Sequence, residues 1–422
     1  MAGHIQDRWY KTEKGPDGTP RRVKTARYGT GKRYRARYVG PDGAEQSKSF
    51  PDRQKRLAER WLTNIEADMS RGQYIDPGAT RTTFRQYAQK WVESHPGEIN
   101  SGEAAERRLR LHTYPYIGSR PLGSFQPEHI RDWVTAMKDA VTAESYRRII
   151  VGTASAVFNA AVEDGRLSKN PCKAKSVTLP KPGGPRIVPW MPDRVFGVRA
   201  ALPRRFQTTV DPGGGCGLRQ GEIFGLSEDE LDFESGWLTV AHQLKRVRRG
   251  QHVFALPKGN KVRTTPLPGT VADALRAHAE EFPPVPITLP WRTPDGPLVT
   301  KYLYFTGNQG SYVRASHFND FIWKPALAAV GVIPEAADGE RYASAREHGM
   351  HALRHFYASV LLDAGESIRA LSSYLGHADP GFTLRTYTHL MPTSEGRTRN
   401  ALDAVFRASP FHDHGPGTAH VA

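Results

Sequence analysis

Residues 351–389 read HALRHFYASVLLDAGESIRALSSYLGHADPGFTLRTYTH and gather His351, Arg354, His377 and Tyr387 into one short stretch. Arginine and histidine are the side chains that grip and protonate a phosphodiester, and a tyrosine phenol can act as a covalent nucleophile, so the grouping suggests phosphate chemistry. His351 and Arg354 stand three positions apart. On a helix that spacing puts both on one face, where they can converge on one phosphate. His377 follows Leu-Gly, and a glycine that takes φ > 0 ends a helix and exposes the next side chain, which can then donate to phosphate. Tyr387 lies ten positions further on, in a short helical stretch after Asp379-Pro380-Gly381. With an ordinary pKa near 10, a phenol needs a positioned proton acceptor and cationic surroundings to attack at neutral pH. His355 reads as a packing residue or a structural hydrogen bond, and His389 as a support for the segment.

A phosphodiester gains negative charge in its pentacoordinate transition state, so a metal-free site needs fixed cations around the non-bridging oxygens. Arg219 fits: it stands just before QGEIFGL, whose Glu222, Ile223 and Leu226 suggest the opening of a helix. Its planar guanidinium can bond two oxygens and stays ionised. Glu222, three positions on, can brace a guanidinium, cap the helix or simply face solvent. Lys258 falls in Pro-Lys-Gly-Asn-Lys, read as a hairpin tip between the strands GQHVFAL and VRTTPLP, with Lys261 as the competing lysine. The run Gly213-Gly214-Gly215 lacks the Lys-Ser/Thr of a phosphate-binding loop and reads as a turn before the Arg219 helix. Neither that loop nor an Asp/Glu cluster of two-metal character is seen, which predicts transfer without cofactor or metal. His412, His414 and His420 read as part of a disordered tail, not as metal ligands.

Several modules must position these groups. A chain of 422 residues exceeds the roughly 250–300 that one core supports. Lys plus Arg number 59 against 43 Asp plus Glu, a net charge of +16, which makes a polyanion the natural partner, nucleic acid ahead of a membrane. MAGHIQDRWYK has no apolar leader core, and no run of roughly 18 apolar residues occurs. A cytosolic protein with no membrane partner is expected, its Cys172 and Cys216 reduced. The segment before Gly40 is the most basic, and KRYRARYVGPDGAEQSKSF alternates apolar and basic residues around Pro41-Asp42-Gly43, as a β-hairpin would. A helix with a Leu57, Trp61, Ile65, Met69 stripe should follow. From Thr82 helices dominate: Phe84, Tyr87, Ala88, Trp91 and Val92 share a face, then Leu109, Leu111 and Tyr114. QPEHIRDWVTAM places Pro127 in a first turn with Ile130, Trp133, Val134 and Met137 inward. Tyr146, Ile149, Ile150, Thr153, Val157, Phe158 and Ala161 fit another buried face, while Arg147, Arg148 and Lys169 face either phosphate or solvent. The Pro, Gly and Lys of SKNPCKAKSVTLPKPGGPR mark a linker near Leu179 to Arg186. In SHFNDFIWKPALAAVGV, Phe318, Phe321, Ile322 and Leu327 form a core face that Pro325 should kink or end.

The box GCGLRQGEIFGL, then LPKGNKVRTTPLP, HALRH, LGH and TYTH, in that order and approximate spacing, resembles the tyrosine recombinase, or phage integrase, family over roughly 185–405. The two upstream segments look like the arm-type and core-site DNA-binding domains of the larger integrases. The resemblance implies an α+β, mainly helical multidomain protein: an N-terminal β-hairpin and helix domain over 1–78, a helical SAM-like core-binding domain over 79–180, a mixed α/β catalytic domain over 181–410 and a disordered tail over 411–422. It implies that Arg219 and Arg354 are the two catalytic arginines, that His351 manages the proton of the attacking phenol, that His377 holds phosphate, and that Lys258 protonates the departing 5′ oxygen. Tyr387 would then form a 3′-phosphotyrosyl link at attachment-type sites on double-stranded DNA, within a homotetramer on paired sites aided by accessory DNA-bending or excision factors. A phage or integrative plasmid of a bacterium is the implied setting. A type IB topoisomerase-like nicking and resealing enzyme would use similar residues, and a catalytically inactive DNA-binding regulator would keep only the basic patches.

Overall fold

The computed structural model describes residues 3–387 apart from 15, 17, 42, 72, 73, 77, 95–98, 181–187, 248, 249 and 378, together with Asp403. The turn residue Asp42, most of the expected linker, His389 and the tail histidines thus lie outside the described residues. The chain divides into two compact units, Met1–Gly184 and Pro185–Ala422, and it mixes helix and sheet as expected.

The first unit opens with strands β1 (His4–Asp7), β2 (Tyr10–Lys14), β3 (Pro20–Lys24), β4 (Tyr34–Val39) and β5 (Glu45–Phe50). β4 and β5 form the expected hairpin, and β1 adds to it antiparallel in the order β1-β4-β5. Tyr34, Ala36 and Tyr38 are buried while Arg35 and Arg37 lie on the half-exposed face, the period-2 signature of a sheet covered on one side. β2 and β3 pair as a separate ribbon. All five residues of β3 are exposed, so that strand carries no apolar alternation to betray it. The Lys55–Ser70 helix packs on the sheet through Ala58 and Leu62, with the Trp61 ring 5.6 Å from Tyr38 and 5.9 Å from Phe50. The expected stripe is corrected at Leu57, which is exposed. A strict spacing of four outruns the 3.6-residue turn, so the buried face drifts to 58 and 62.

Helices Phe84–Ser94, Ile99–His112, Pro127–Ala140 and Glu144–Glu163 build the second core of this unit around Phe84, Leu109, Ile130, Trp133, Met137, Ile150 and Phe158. Pro127 occupies the first turn of its helix, where its missing N–H costs nothing. Leu111 and Ile149 face solvent, contrary to expectation. Arg147 is also corrected: it is buried, and its Nη1 donates to the carbonyls of Val141 (2.7 Å) and Thr142 (3.1 Å). Those carbonyls follow a helix end and have no intrahelical donor, so the guanidinium is spent on them. Arg148 donates to the Pro180 carbonyl at 2.8 Å.

The second unit carries β6 (Leu231–Asp232), β7 (Trp237–Val240), β8 (Gln243–Arg246), β9 (His252–Ala255), β10 (Arg263–Pro266), β11 (Val285–Pro290) and β12 (Leu298–Leu303). The expected hairpin around Lys258 is not formed: β9 pairs with β8, whereas β10 pairs with β7 in the sheet β10-β7-β6. Lys258 therefore sits on a turn that crosses between two sheets, with Gly259 and Asn260 at φ 84° and 57°. Gly213, Gly214 and Gly215 are helical, within Val210–Gly215, and not a turn. A Cβ on Gly213 would lie 2.9 Å from Leu353, and one on Gly215 would lie 2.5 Å from Val271, so their bareness lets neighbouring helices close in. Pro325 does not end its helix. A π-helical turn over Asn319–Trp323 absorbs the missing hydrogen bond and leads into Lys324–Ala329, leaving Phe321 exposed and Phe318 and Leu327 buried. Among the described residues, no helix is long and apolar enough to cross a membrane.

Candidate active site

Arg219 occupies the N-cap of the Gln220–Gly225 helix, in extended backbone. One turn on, the buried Glu222 carboxylate accepts from the Arg219 backbone N–H at 2.8 Å and from its Nη1 at 2.9 Å. The same carboxylate accepts from Arg263 Nη1 at 2.9 Å and Nη2 at 2.6 Å. Burial works to raise the Glu222 pKa, but hydrogen bonds and charge from Arg263, then Arg219, outweigh it and hold the group at about 2. Of the readings open for Glu222, the bracing of guanidinium is the one realised, together with the cap. Arg263 was missed in the sequence, although an arginine beginning the strand of VRTTPLP, next to an expected catalytic loop, was a usable signal. Its Nε donates to the Tyr374 carbonyl at 2.8 Å, which ties β10 to the Ile368–Leu375 helix.

Arg354 lies on the His351–Asp363 helix and is 1% exposed. Nη1 donates to the Gly217 carbonyl at 2.6 Å, and Nη2 to the Leu375 carbonyl and, at 3.2 Å, to His377 Nε2. Arg219 Nη2 donates to the same Leu375 carbonyl at 3.3 Å. Both cations thus gather at the C-terminal end of one helix, whose free carbonyls carry partial negative charge. Burial, then Arg219 and Arg263, lowers Arg354 to about 9, still ionised at neutral pH. Gly376, at φ 65°, ends that helix in the left-handed conformation expected of it, and a Cβ there would come 2.8 Å from Arg263 Cδ. The turn aims His377 back into the site. Because Arg354 donates to Nε2, the proton of His377 resides on Nδ1 and is given to Thr383 Oγ1 at 2.7 Å. Burial, then Arg354 and Arg219, lowers His377 to about 4, so it is neutral at pH 7.

Tyr387 ends the Pro380–Tyr387 helix and is 1% exposed, packed with Tyr357, Leu362, Leu371 and Leu375. Burial raises its pKa, and the charges of Arg354 and Arg219 oppose that rise. Its hydroxyl lies 2.8 Å from His355 Nδ1. The imidazole hydrogen-bonded to the phenol is that of His355, in keeping with its reading as a packing or hydrogen-bonding residue, while His351 stands further out on the same helix face. On a helix, positions 351, 354 and 355 share a face, but the later turn sits deeper, where the Pro380–Tyr387 helix packs. His351 stands at the exposed mouth with its ring edge-on to His355, centroids 4.6 Å apart. Desolvation of its inner side, then the charges of His355, Arg354, Arg219 and Lys258, lowers its pKa, and the exposed edge tempers that effect. Lys258 itself is exposed on its turn. Among the described residues, no group of three His, Cys, Asp or Glu could hold a metal.

The second unit brings Arg219, His351, Arg354, His377 and Tyr387 together, with the charge of Lys258 acting on His351, so that a buried phenol sits among fixed cations and imidazoles. The phage integrase central domain profile matches residues 84–176. The tyrosine recombinase XerC-like protein of Caldanaerobacter subterraneus is 27% identical over 265 residues, covering 59% of this chain and 63% of that protein. The putative prophage phiRv2 integrase of Mycobacterium tuberculosis is 24% identical over 376 residues, covering 87% and 90%. In fold, the Tn1549 transposon integrase, solved in complex with circular intermediate DNA, superposes with TM-score 0.62 at 21% identity, over 77% of this chain and all of that one. The chain is thus similar, in its central segment, in sequence and in fold, to tyrosine recombinases and phage integrases.

Proposed function

We propose that the chain is a site-specific DNA recombinase that cuts and rejoins duplex DNA through Tyr387, integrating or excising a mobile element. The observation that carries the reading is the burial of a single phenol against an imidazole beside two braced arginines. In it, Arg219 and Arg354 hold the non-bridging oxygens, His377 donates to the same phosphate once the bound anion draws a proton onto its Nε2, and His351 contacts it from the mouth. The Tyr387 oxygen attacks phosphorus, a 3′-phosphotyrosyl ester forms, and Lys258 gives a proton to the departing 5′ oxygen. The ester conserves the energy of the broken linkage, so a 5′ hydroxyl reseals it without ATP. Residues 1–78 take arm-type sites and 79–180 core-type sites, and the net charge of +16 supplies non-specific attraction to the backbone. Four protomers on two sites, with accessory bending or excision factors, complete the assembly.

Relatives named as recombinases and integrases support this reading over a topoisomerase or an inactive regulator. The two activities separate on one gel. A site selected from random-sequence DNA by binding to the full chain, placed on two labelled duplexes, should yield exchanged strands whose amount depends on both sites. Relaxation of supercoiled plasmid at the same rate with and without a site, and no exchange, would instead indicate a nicking and resealing enzyme.

A further inference from the structure

We propose that His355 is the group that receives the Tyr387 proton during attack, with His351 relaying that proton to solvent. The inference rests on the recombinase reading above and adds to it the identity of the base. His355 Nδ1 stands 2.8 Å from the Tyr387 oxygen, within the reach required of a general base. Nothing else that could take this proton is hydrogen-bonded to the phenol among the described residues. The groups facing His355 are Arg354 and His351 on its own helix, Tyr387 from the Pro380–Tyr387 helix, and His377 from the turn before it. Burial, then the charge of Arg354, lowers the pKa of His355 to about 4, so the ring is neutral at pH 7. A neutral ring that accepts at Nδ1 carries its own proton on Nε2. The phenol is thereby oriented with its lone pairs free for phosphorus.

The step balances. The Tyr387 oxygen bonds to phosphorus as its proton moves to His355 Nδ1, the bond from phosphorus to the 5′ oxygen breaks, and Lys258 supplies the proton that oxygen needs. The bound phosphate brings a negative charge into a site crowded with cations, which raises the proton affinity of His355 when the proton must be held. The exit is short, since the His351 ring lies edge-on at 4.6 Å and opens to solvent. Resealing runs the same path backwards and returns the proton to the phenol.

Asparagine keeps an acceptor near the position of Nδ1 but cannot take a proton, which makes His355→Asn the informative change. His355→Ala removes both functions. Single-turnover adduct formation by the full chain on a nicked duplex bearing the selected site is followed from pH 6 to pH 9. The wild type should show a nearly flat profile. Both variants should be slower at pH 7 by about 100-fold or more, the typical yield of a positioned base. Their rates should climb about tenfold per pH unit, as hydroxide does the work the imidazole did. DNA affinity and melting temperature of His355→Asn should match the wild type. Wild-type rates in either variant, or an equal loss at every pH with an unchanged profile, would overturn the assignment and leave His355 a packing residue. A wild-type chain that forms no adduct while binding the site would overturn the recombinase reading itself.

Discussion

Replacing Arg354 by alanine is expected to slow covalent cleavage of a nicked site by about 1,000-fold or more, the scale found when a fixed donor to a developing oxyanion is removed. The effect is large because one guanidinium serves two ends. In the proposed reaction its charge holds the phosphate, while its N–H groups hold the Gly217 and Leu375 carbonyls and His377 Nε2. Alanine leaves buried carbonyls without donors, at about 1–3 kcal/mol each, so the melting temperature should fall as well. Arg354→Lys separates these contributions. Lysine keeps the charge but loses the fork, and should retain most of the stability while still cutting at least about 100-fold more slowly. Equal rates for the wild type and Arg354→Lys would show that only net charge matters at this position.

The second large effect is on stability. Glu222→Ala strands two arginines at a buried site, and breaking such a pair costs about 3–5 kcal/mol. Cleavage should also be lost, since Arg219 is aimed by that carboxylate. Acid should reproduce part of this change in the wild type. Glu222 is held at about 2 against an ordinary 4.5, so its contribution is complete above about 4.5 and is lost as pH falls toward 2. A shift of that size corresponds to about 3 kcal/mol. His355 and His377, lowered to about 4 from 6.5, act over a higher window. The unfolded chain binds their protons first, so stability declines as pH falls from 6.5 toward 4. Urea melts from pH 8 to pH 3 should therefore show one loss setting in below about 6.5, from the histidines, and a further loss below about 4.5, from the carboxylate. In Glu222→Gln the second phase should shrink. An unchanged acid limb in that variant would remove Glu222 from its central place in the site.

Much of the site was legible because its chemistry is local in sequence. His351 and Arg354 share a helix face by spacing alone, Gly376 ends its helix in the left-handed conformation the sequence suggested, and Tyr387 ends a helix that begins at Pro380. What was not legible depends on packing between distant segments. His355 differs from its neighbours only by meeting the phenol, and that contact depends on where the Pro380–Tyr387 helix docks. Arg263 matters because β10 lies beside Glu222 and Tyr374, which no spacing rule reports. The Lys258 turn differs from its sequence pattern for the same reason. Two strands flanking a Gly-Asn turn look like a hairpin until the pairing of β10 with β7 and of β9 with β8 separates them. The glycine run reads as a turn in the sequence because its use, a close approach by Leu353 and Val271, lies wholly in its neighbours.

The claim beneath all of this is that the Tyr387 oxygen becomes bonded to DNA. Full-length chain incubated with a nicked duplex bearing its selected site should yield a protein–DNA adduct. Digestion and mass spectrometry should place the nucleotide on the peptide containing Tyr387, linked through a 3′ phosphate, and Tyr387→Phe should give no adduct while binding DNA with unchanged affinity. An adduct that persists in Tyr387→Phe, or one mapped to another side chain, would contradict the account.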